Sequence, residues 1–379
     1  FILSKNNYKI KKKLKKILKQ ISTENNQIIS SLKKSYKDSY NRKILFKLKK
    51  VKEITLIGMG GSILGAKAIY NFLNSKSKKF IFKDSFTEKF IQNGNKSKKL
   101  NLVISKSGNT LETISNSNII ISKRNINIFL SENKKNYLTN LANRLKSQII
   151  HHNNFIGGRY SVLSEVGMLP AELMGYKPEK FRCFNNLIKN KQFINSLISN
   201  VSNTLKLIKA KKTNSIILNY DERSLDLLNW YQQLVAESLG KNKKGIFPVI
   251  SNMPRDNHSL MQYYLDGTRN NFFTFFFVNR NSPKIKNQNL LNSHFYLKNK
   301  SLSDISYSQF IASQKVFFKK KIPYRSFEIQ KINEQSLGEL FTFFILETII
   351  LGKAMNINPF DQPAVELIKK ETNKILINS

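Results

Sequence analysis

Between Tyr8 and Ile21 the apolar residues Ile10, Leu14, Ile17, Leu18 and Ile21 recur at helical spacing, while Lys11, Lys12, Lys13, Lys15, Lys16 and Lys19 fill the other faces. The pattern predicts an amphipathic helix. With no Trp or Phe to anchor its apolar face in a bilayer surface, it is expected to pack on the body of the protein. Downstream the period changes. Residues 54–57 read as a buried strand, and 58–65 as a turn opening a helix through Leu73. Residues 102–104 read as the next strand, followed by a turn at 105–110 and a helix over 111–121. Residues 126–130 and 148–151 supply further strands. The rhythm recurs at 215–219, 246–250 and 272–278, separated by helical stretches such as 224–239, and the polar run 287–304 reads as a loop. Short strands alternating with helices indicate an α/β fold of two doubly wound, parallel-sheet domains. The expected organisation is an N-terminal helical segment (1–45), a first α/β domain (46–200), a second (201–335), and a C-terminal helical segment (336–379) packing on both.

A length of 379 residues, 40% of them hydrophobic and including 27 Phe and 14 Tyr, leaves room for two cores and argues against extended disorder. One Cys, Cys183, excludes an internal disulfide and a multi-Cys zinc site, so a reducing compartment and an inert packed thiol are expected. The net charge of +40, from 64 Lys+Arg against 24 Asp+Glu, raises the question of a polyanion partner. The excess is spread along the chain, with no zinc finger and no interleaving of Arg with aromatic residues, so it reads as solvated surface and no specific nucleic acid is expected. The most apolar stretch, 337–355, is interrupted by Glu339, Glu347 and Lys353, which favours a buried helix over a membrane span. The sequence opens on Phe1 and shows no secretory signal; a cytoplasmic location is expected.

Two turns carry candidate chemistry. Gly58-Met59-Gly60-Gly61-Ser62-Ile63-Leu64-Gly65 lies at a strand end where a helix begins, a place where glycines let backbone approach an anion. It misses the dinucleotide fingerprint, because the third glycine would fall at Ile63, and it has no Walker-type Lys-Ser/Thr ending. A tight structural turn and an anion site both remain open there, with Gly61 and Ser62 as the candidate contacts. In Ser105-Lys106-Ser107-Gly108-Asn109-Thr110-Leu111-Glu112-Thr113, hydroxyls, one ammonium and free helix N-terminal amides converge on a spot suited to a phosphate monoester. Helix capping by one Ser or Thr with a later Glu explains one hydroxyl; it does not explain the cluster. Ser105, Lys106, Ser107 and Thr110 are therefore the expected phosphate ligands, with no metal required. The adjacent His151 and His152 do not form a one-face metal pair, and neither they nor His294 receive a role.

These turns resemble the phosphate loops of the sugar isomerase (SIS) fold. Four more segments narrow the resemblance to the glucose-6-phosphate isomerase family: Gly157-Gly158-Arg159-Tyr160-Ser161; Gln233-Leu234-Val235-Ala236-Glu237-Ser238-Leu239-Gly240-Lys241; Asp256-Asn257-His258-Ser259; and Asn358-Pro359-Phe360-Asp361-Gln362-Pro363-Ala364-Val365-Glu366-Leu367-Ile368-Lys369. The resemblance implies a cofactor-independent aldose-ketose isomerase acting on a sugar phosphate. Moving a proton between C2 and C1 calls for a base and for charge stabilisation of an enediolate. Glu237 is the candidate base, against a solvated helical Glu, and Arg159 the stabiliser, against an interdomain salt bridge. The resemblance also implies that His258 and Lys369 open the sugar ring, that Gly158, Gln233 and Gln362 contact substrate, and that the protein is a homodimer with His258 donated across the interface. Two alternatives are a dual glucose/mannose phosphate isomerase and a sugar-phosphate-binding regulatory module without catalysis.

Overall fold

The computed structural model describes residues 8–86 and 99–378, so the first seven residues of the N-terminal segment and Ser379 lie outside it. Nine strands are found among the described residues. In the first half these are β1 (Glu53–Gly58), β2 (Lys79–Lys83), β3 (Leu100–Ile104), β4 (Ile126–Glu132) and β5 (Gln148–His152), all parallel in the order β2-β1-β3-β4-β5. In the second half, β6 (Asn214–Asn219), β7 (Phe247–Asn252), β8 (Asn271–Val278) and β9 (Tyr324–Ile329) are parallel in the order β7-β6-β8-β9. The two doubly wound parallel sheets are as expected, but the apolar pattern does not predict β2 and β9. Both are edge strands: lysines bracket the three apolar residues of β2, and Arg325, Ser326 and Glu328 break up β9, which blurs the buried-strand signal.

Central strands show why the apolar runs are legible. Every residue of β8 is buried, and its side chains alternate between two cores. Phe273, Phe275 and Phe277 join Phe310 and Phe317 of the Leu302–Lys319 helix, whereas Phe272, Phe276 and Val278 face the main core. The apolar stretch near the C-terminus forms the Glu334–Ala354 helix, buried against the Leu225–Leu239, Lys191–Lys209 and Tyr8–Thr23 helices. Its Phe341 and Phe344 pack on Trp230 and Tyr231 with ring centroids 4.8 and 4.2 Å apart. No described helix is long and apolar enough to cross a membrane. Leu14, Leu18 and Ile21 of the first helix are buried in the main core, as its amphipathic pattern predicts. Within the C-terminal segment, the final helix, Val365–Asn378, buries none of its residues, so packing on the body comes from the helix before it and from the intervening turn, where Ile357 and Pro359 are buried.

The halves are joined by the Leu225–Leu239 helix, which lies against the Leu64–Phe72 helix of the first half. Polar locks reinforce the junction. Arg280 grips Asp221 bidentately at 2.6 and 2.9 Å and donates to the carbonyl of Phe72 at 3.0 Å. Buried Arg325 donates to Thr274 at 2.8 Å, to the Tyr231 hydroxyl at 2.9 Å, and to buried Glu347. Cys183 is buried, and desolvation followed by the nearby Glu339 charge pushes its thiol up to about 11, in keeping with an inert packed side chain.

Candidate active site

In the first sheet the strand order reverses between β1 and β3, which opens a crevice at their carboxyl ends, where ligands sit in open α/β sheets. The two turns singled out in the sequence flank this crevice. Gly60 and Gly108 have φ of +53° and +66°, the left-handed region that glycine adopts without strain. A Cβ on Gly108 would lie 1.9 Å from the Asn136 side chain, so the 105–110 turn is seated directly on that residue. Asn136 in turn donates to Ser131 Oγ and to the Lys134 carbonyl, both at 3.0 Å.

Within the loop, Ser105 Oγ and Thr110 Oγ1 are 2.9 Å apart, and Ser107 Oγ accepts from the Asn109 amide at 3.3 Å. Thr110 precedes the Leu111–Ile120 helix but makes no side-chain capping bond. The capping explanation of these hydroxyls therefore fails, and the helix N-terminus keeps its anion-binding character. Lys106 Nζ donates to the Asn154 carbonyl at 2.7 Å, and burial pulls its ammonium below the ordinary lysine value. This contact ties the 105–110 loop to the turn leading into Gly157-Gly158-Arg159.

The second cluster is built around Arg159, 3% exposed. Its Nε donates to Ser238 Oγ at 2.8 Å, one terminal nitrogen to Glu237 Oε2 at 3.2 Å and to Gln362 Oε1, and the other to the carbonyls of Pro359 and Asp361 at 2.8 and 3.0 Å. Trp230 Nε1 holds the Arg159 carbonyl at 3.1 Å. Gln233 and Glu237, one turn apart on the Leu225–Leu239 helix, share a face, and Gln233 Nε2 donates to Glu237 Oε1 at 2.8 Å. Glu237 keeps a quarter of its side chain exposed, which leaves it reachable. Gln233 Oε1 is buried and has no hydrogen-bond partner among the described residues.

Glycine has a definite steric purpose at Gly61. A Cβ there would lie 2.1 Å from the Gly158 carbonyl carbon and 2.4 Å from the Arg159 amide, so the first turn is pressed against the arginine's backbone. The steric demand of this contact falls on Gly61, since a Cβ on Gly157 or Gly158 would meet nothing nearer than 3.9 or 3.7 Å. Ser62 closes the same turn, its amide donating to the Met59 carbonyl at 3.1 Å.

Arg159, Glu237, Gln233, Gln362, Gly61 and Gly158 are thus brought together, with Ser105, Lys106, Ser107 and Thr110 on the adjoining loop. His258 and Lys369 are not joined to them within one chain. His258 is exposed after β7, and Lys369, on the unburied Val365–Asn378 helix, pairs with Glu366 at 2.6 Å. Three contributors to the site receive no role from sequence: Ser238, Lys241 and Tyr160. Lys241 Nζ binds Asp361 Oδ1 at 2.6 Å and the carbonyls of Asn358 and Asp361, and Tyr160 donates to the Pro359 carbonyl at 3.0 Å. All three lie inside the motif segments, which is the one signal that could have marked them.

Comparison with known proteins bears on this arrangement. A phosphoglucose isomerase family model matches residues 19–379. A probable glucose-6-phosphate isomerase of Methanococcus maripaludis is 31% identical over 368 residues, covering 87% of this chain and 80% of that protein. The glucose-6-phosphate isomerase of Mycoplasmopsis pulmonis is 32% identical over 367 residues, covering 87% and 84%. Among solved structures, a hypothetical protein from Thermus thermophilus superposes with a TM-score of 0.82 at 21% identity over 97% of this chain and 95% of that one, a likeness of fold. With a family match running from the first helix to the C-terminus, around a site built from the same segments, the chain belongs to the phosphoglucose isomerase family.

Proposed function

We propose that this chain performs the family's reaction, the interconversion of glucose 6-phosphate and fructose 6-phosphate, through an enediolate with Glu237 as the base. The observation that carries the reading is the Glu237 carboxylate held between Gln233 Nε2 and the Arg159 guanidinium, beside an unpartnered buried acceptor and next to a loop rich in phosphate donors. The C2 hydrogen of the open-chain aldose is acidic only because the neighbouring carbonyl delocalises the carbanion. Glu237 takes that proton and returns it to C1. The Arg159 guanidinium balances the charge that develops on the enediolate oxygens. Ser105, Lys106, Ser107 and Thr110 hold the phosphate with the amides at the start of the Leu111–Ile120 helix, and the Gln233 Oε1 acceptor orients a sugar hydroxyl.

Ring opening needs one group to take a hydroxyl proton and one to protonate the ring oxygen, the roles of His258 and Lys369. The exposure of His258, and of a helix carrying Leu367, Ile368, Ile375 and Ile377 on its uncovered surface, supports a homodimer in which His258 serves the partner's site. The test is a coupled assay of fructose 6-phosphate conversion together with C2 proton exchange. Glu237→Gln is expected to bind sugar phosphate yet lose both activities; retained exchange removes Glu237 as the base.

A further inference from the structure

Outside the catalytic cluster the protein buries a second set of ionisable side chains, at the end of β5. His152 is 3% exposed and Glu165, the first residue of the Glu165–Leu173 helix, is fully buried. His152 Nδ1 lies 2.5 Å from Glu165 Oε1, and Nε2 lies 3.0 Å from the carbonyl oxygen of Ile156. A carbonyl only accepts, so Nε2 must carry a proton. The carboxylate also receives the Asn153 amide at 2.9 Å and the Tyr36 hydroxyl at 3.0 Å, two donors that favour its charged form. Nδ1 must then be protonated as well, since a bare nitrogen there would set its lone pair against a carboxylate oxygen. The geometry describes an imidazolium–carboxylate pair sealed in the interior.

The pair grips one short turn at both ends. Glu165 holds it at the Asn153 amide, and His152 holds it at the Ile156 carbonyl. Between these points Lys106 of the phosphate loop holds the Asn154 carbonyl. Immediately after Ile156 come Gly157, Gly158 and Arg159, with Gly158 pressed against Gly61. We propose that the His152–Glu165 ion pair is a positioning device for the reaction, holding the 153–156 turn so that the phosphate loop and Arg159 keep a fixed spacing, and that it works only while His152 carries both ring protons.

This rests on the functional reading of Arg159 given above. The groups facing the pair fit the assignment. Tyr36 has its hydroxyl pushed well above its usual value, by burial first and then by Glu165, so it stays a donor. Asp38 is paired with Arg182 at 2.6 Å, and Arg182 stacks on Tyr36 at 5.0 Å. Lys33, Lys37 and His151 line a cavity of about 540 Å³ that His152 and Glu165 also border. Burial pushes the Glu165 carboxyl up, but the His152 bond and the Asn153 amide outweigh it and leave the group below its ordinary value.

The experiment has two arms. The chain has only four histidines, and nitrogen-15 NMR of the unaltered protein is expected to show one ring with both nitrogens protonated at pH 8. Finding every ring neutral at that pH overturns the proposal, whatever the activity of the protein. In the second arm, kcat of Glu165→Gln is divided by that of the unaltered enzyme at each pH, which removes the titrations common to both. Without the carboxylate no anion faces Nδ1 to favour the second ring proton, so the ratio is expected to fall about tenfold between pH 6 and pH 8. Glu165→Asp, which keeps the charge, is expected to give a lower ratio that does not vary with pH. A constant ratio for Glu165→Gln refutes the positioning role. Absence of turnover in the unaltered chain refutes the functional reading, and the NMR arm still decides the protonation state.

Discussion

Replacing Gly61 by Ala tests whether the contact between the two turns sets the catalytic geometry. The new Cβ would sit 2.1 Å from the carbonyl carbon of Gly158, 2.3 Å from its oxygen and 2.4 Å from the Arg159 amide nitrogen, and all three are backbone atoms with no rotamer to change. Ordinary contact begins at 3.4 Å, so the turns must part by about 1 Å. Gly158 and Arg159 would carry that shift into the guanidinium bonds with Glu237 and Gln362. A displacement of that size at a reacting centre costs about a hundredfold in rate, equivalent to about 2.7 kcal/mol of barrier. The stability cost of overpacking is about 1–3 kcal/mol. Gly157→Ala is the matched control, because its Cβ would meet only Tyr160 at 3.9 Å and its φ is an ordinary −69°. The assay is kcat/KM for fructose 6-phosphate, with a urea melt to confirm that each variant is folded at the assay temperature. If Gly61→Ala stays within about threefold of the unaltered chain, the tight contact does not set the geometry and the reasoning is wrong.

Removing one partner of the sealed Arg325–Glu347 pair should act on stability and not on the site directly. Arg325→Met leaves buried Glu347 with only the uncharged donors Tyr231 and Asn200, an expected loss of about 3–5 kcal/mol in urea unfolding, and adding Glu347→Leu should restore much of it. Lys241→Met frees the turn that carries Gln362 while the exposed Asp361 carboxylate returns to water. Its kcat/KM should drop about tenfold with less than about 1 kcal/mol lost in the same melt.

The reach of the sequence is set by where burial leaves a pattern. Strands β3 and β8, covered on both faces, are mostly apolar, interrupted only by Asn101 in β3 and by Asn271 and Thr274 in β8, and can be read at once. Edge strands β2 and β9 carry lysine and glutamate where they meet solvent, and β9 also carries the buried, paired Arg325, so the pattern does not reveal them. At the site, the residue types and their segments are visible in the sequence, whereas the assembly is not. Arg159 meets Glu237, 78 residues later, and Gln362, 203 residues later, and no local spacing encodes such meetings. His152 illustrates the limit best. Its adjacency to His151 argues against a shared metal, because neighbours on a strand point to opposite sides, but that same alternation buries His152 while His151 stays exposed. Nothing in the order of residues announces Glu165 as its partner.

The Arg280–Asp221 clasp has a bearing on stoichiometry. The second sheet reverses its strand order between β6 and β8 much as the first does between β1 and β3, so the architecture offers two equivalent mouths per chain. Asp221 follows β6 and Arg280 follows β8, and their bidentate bond occupies the second mouth while fastening it to the Phe72 carbonyl opposite. One half of the molecule has become a wall for the other. Calorimetric titration with a sugar phosphate should therefore saturate at a single equivalent per polypeptide.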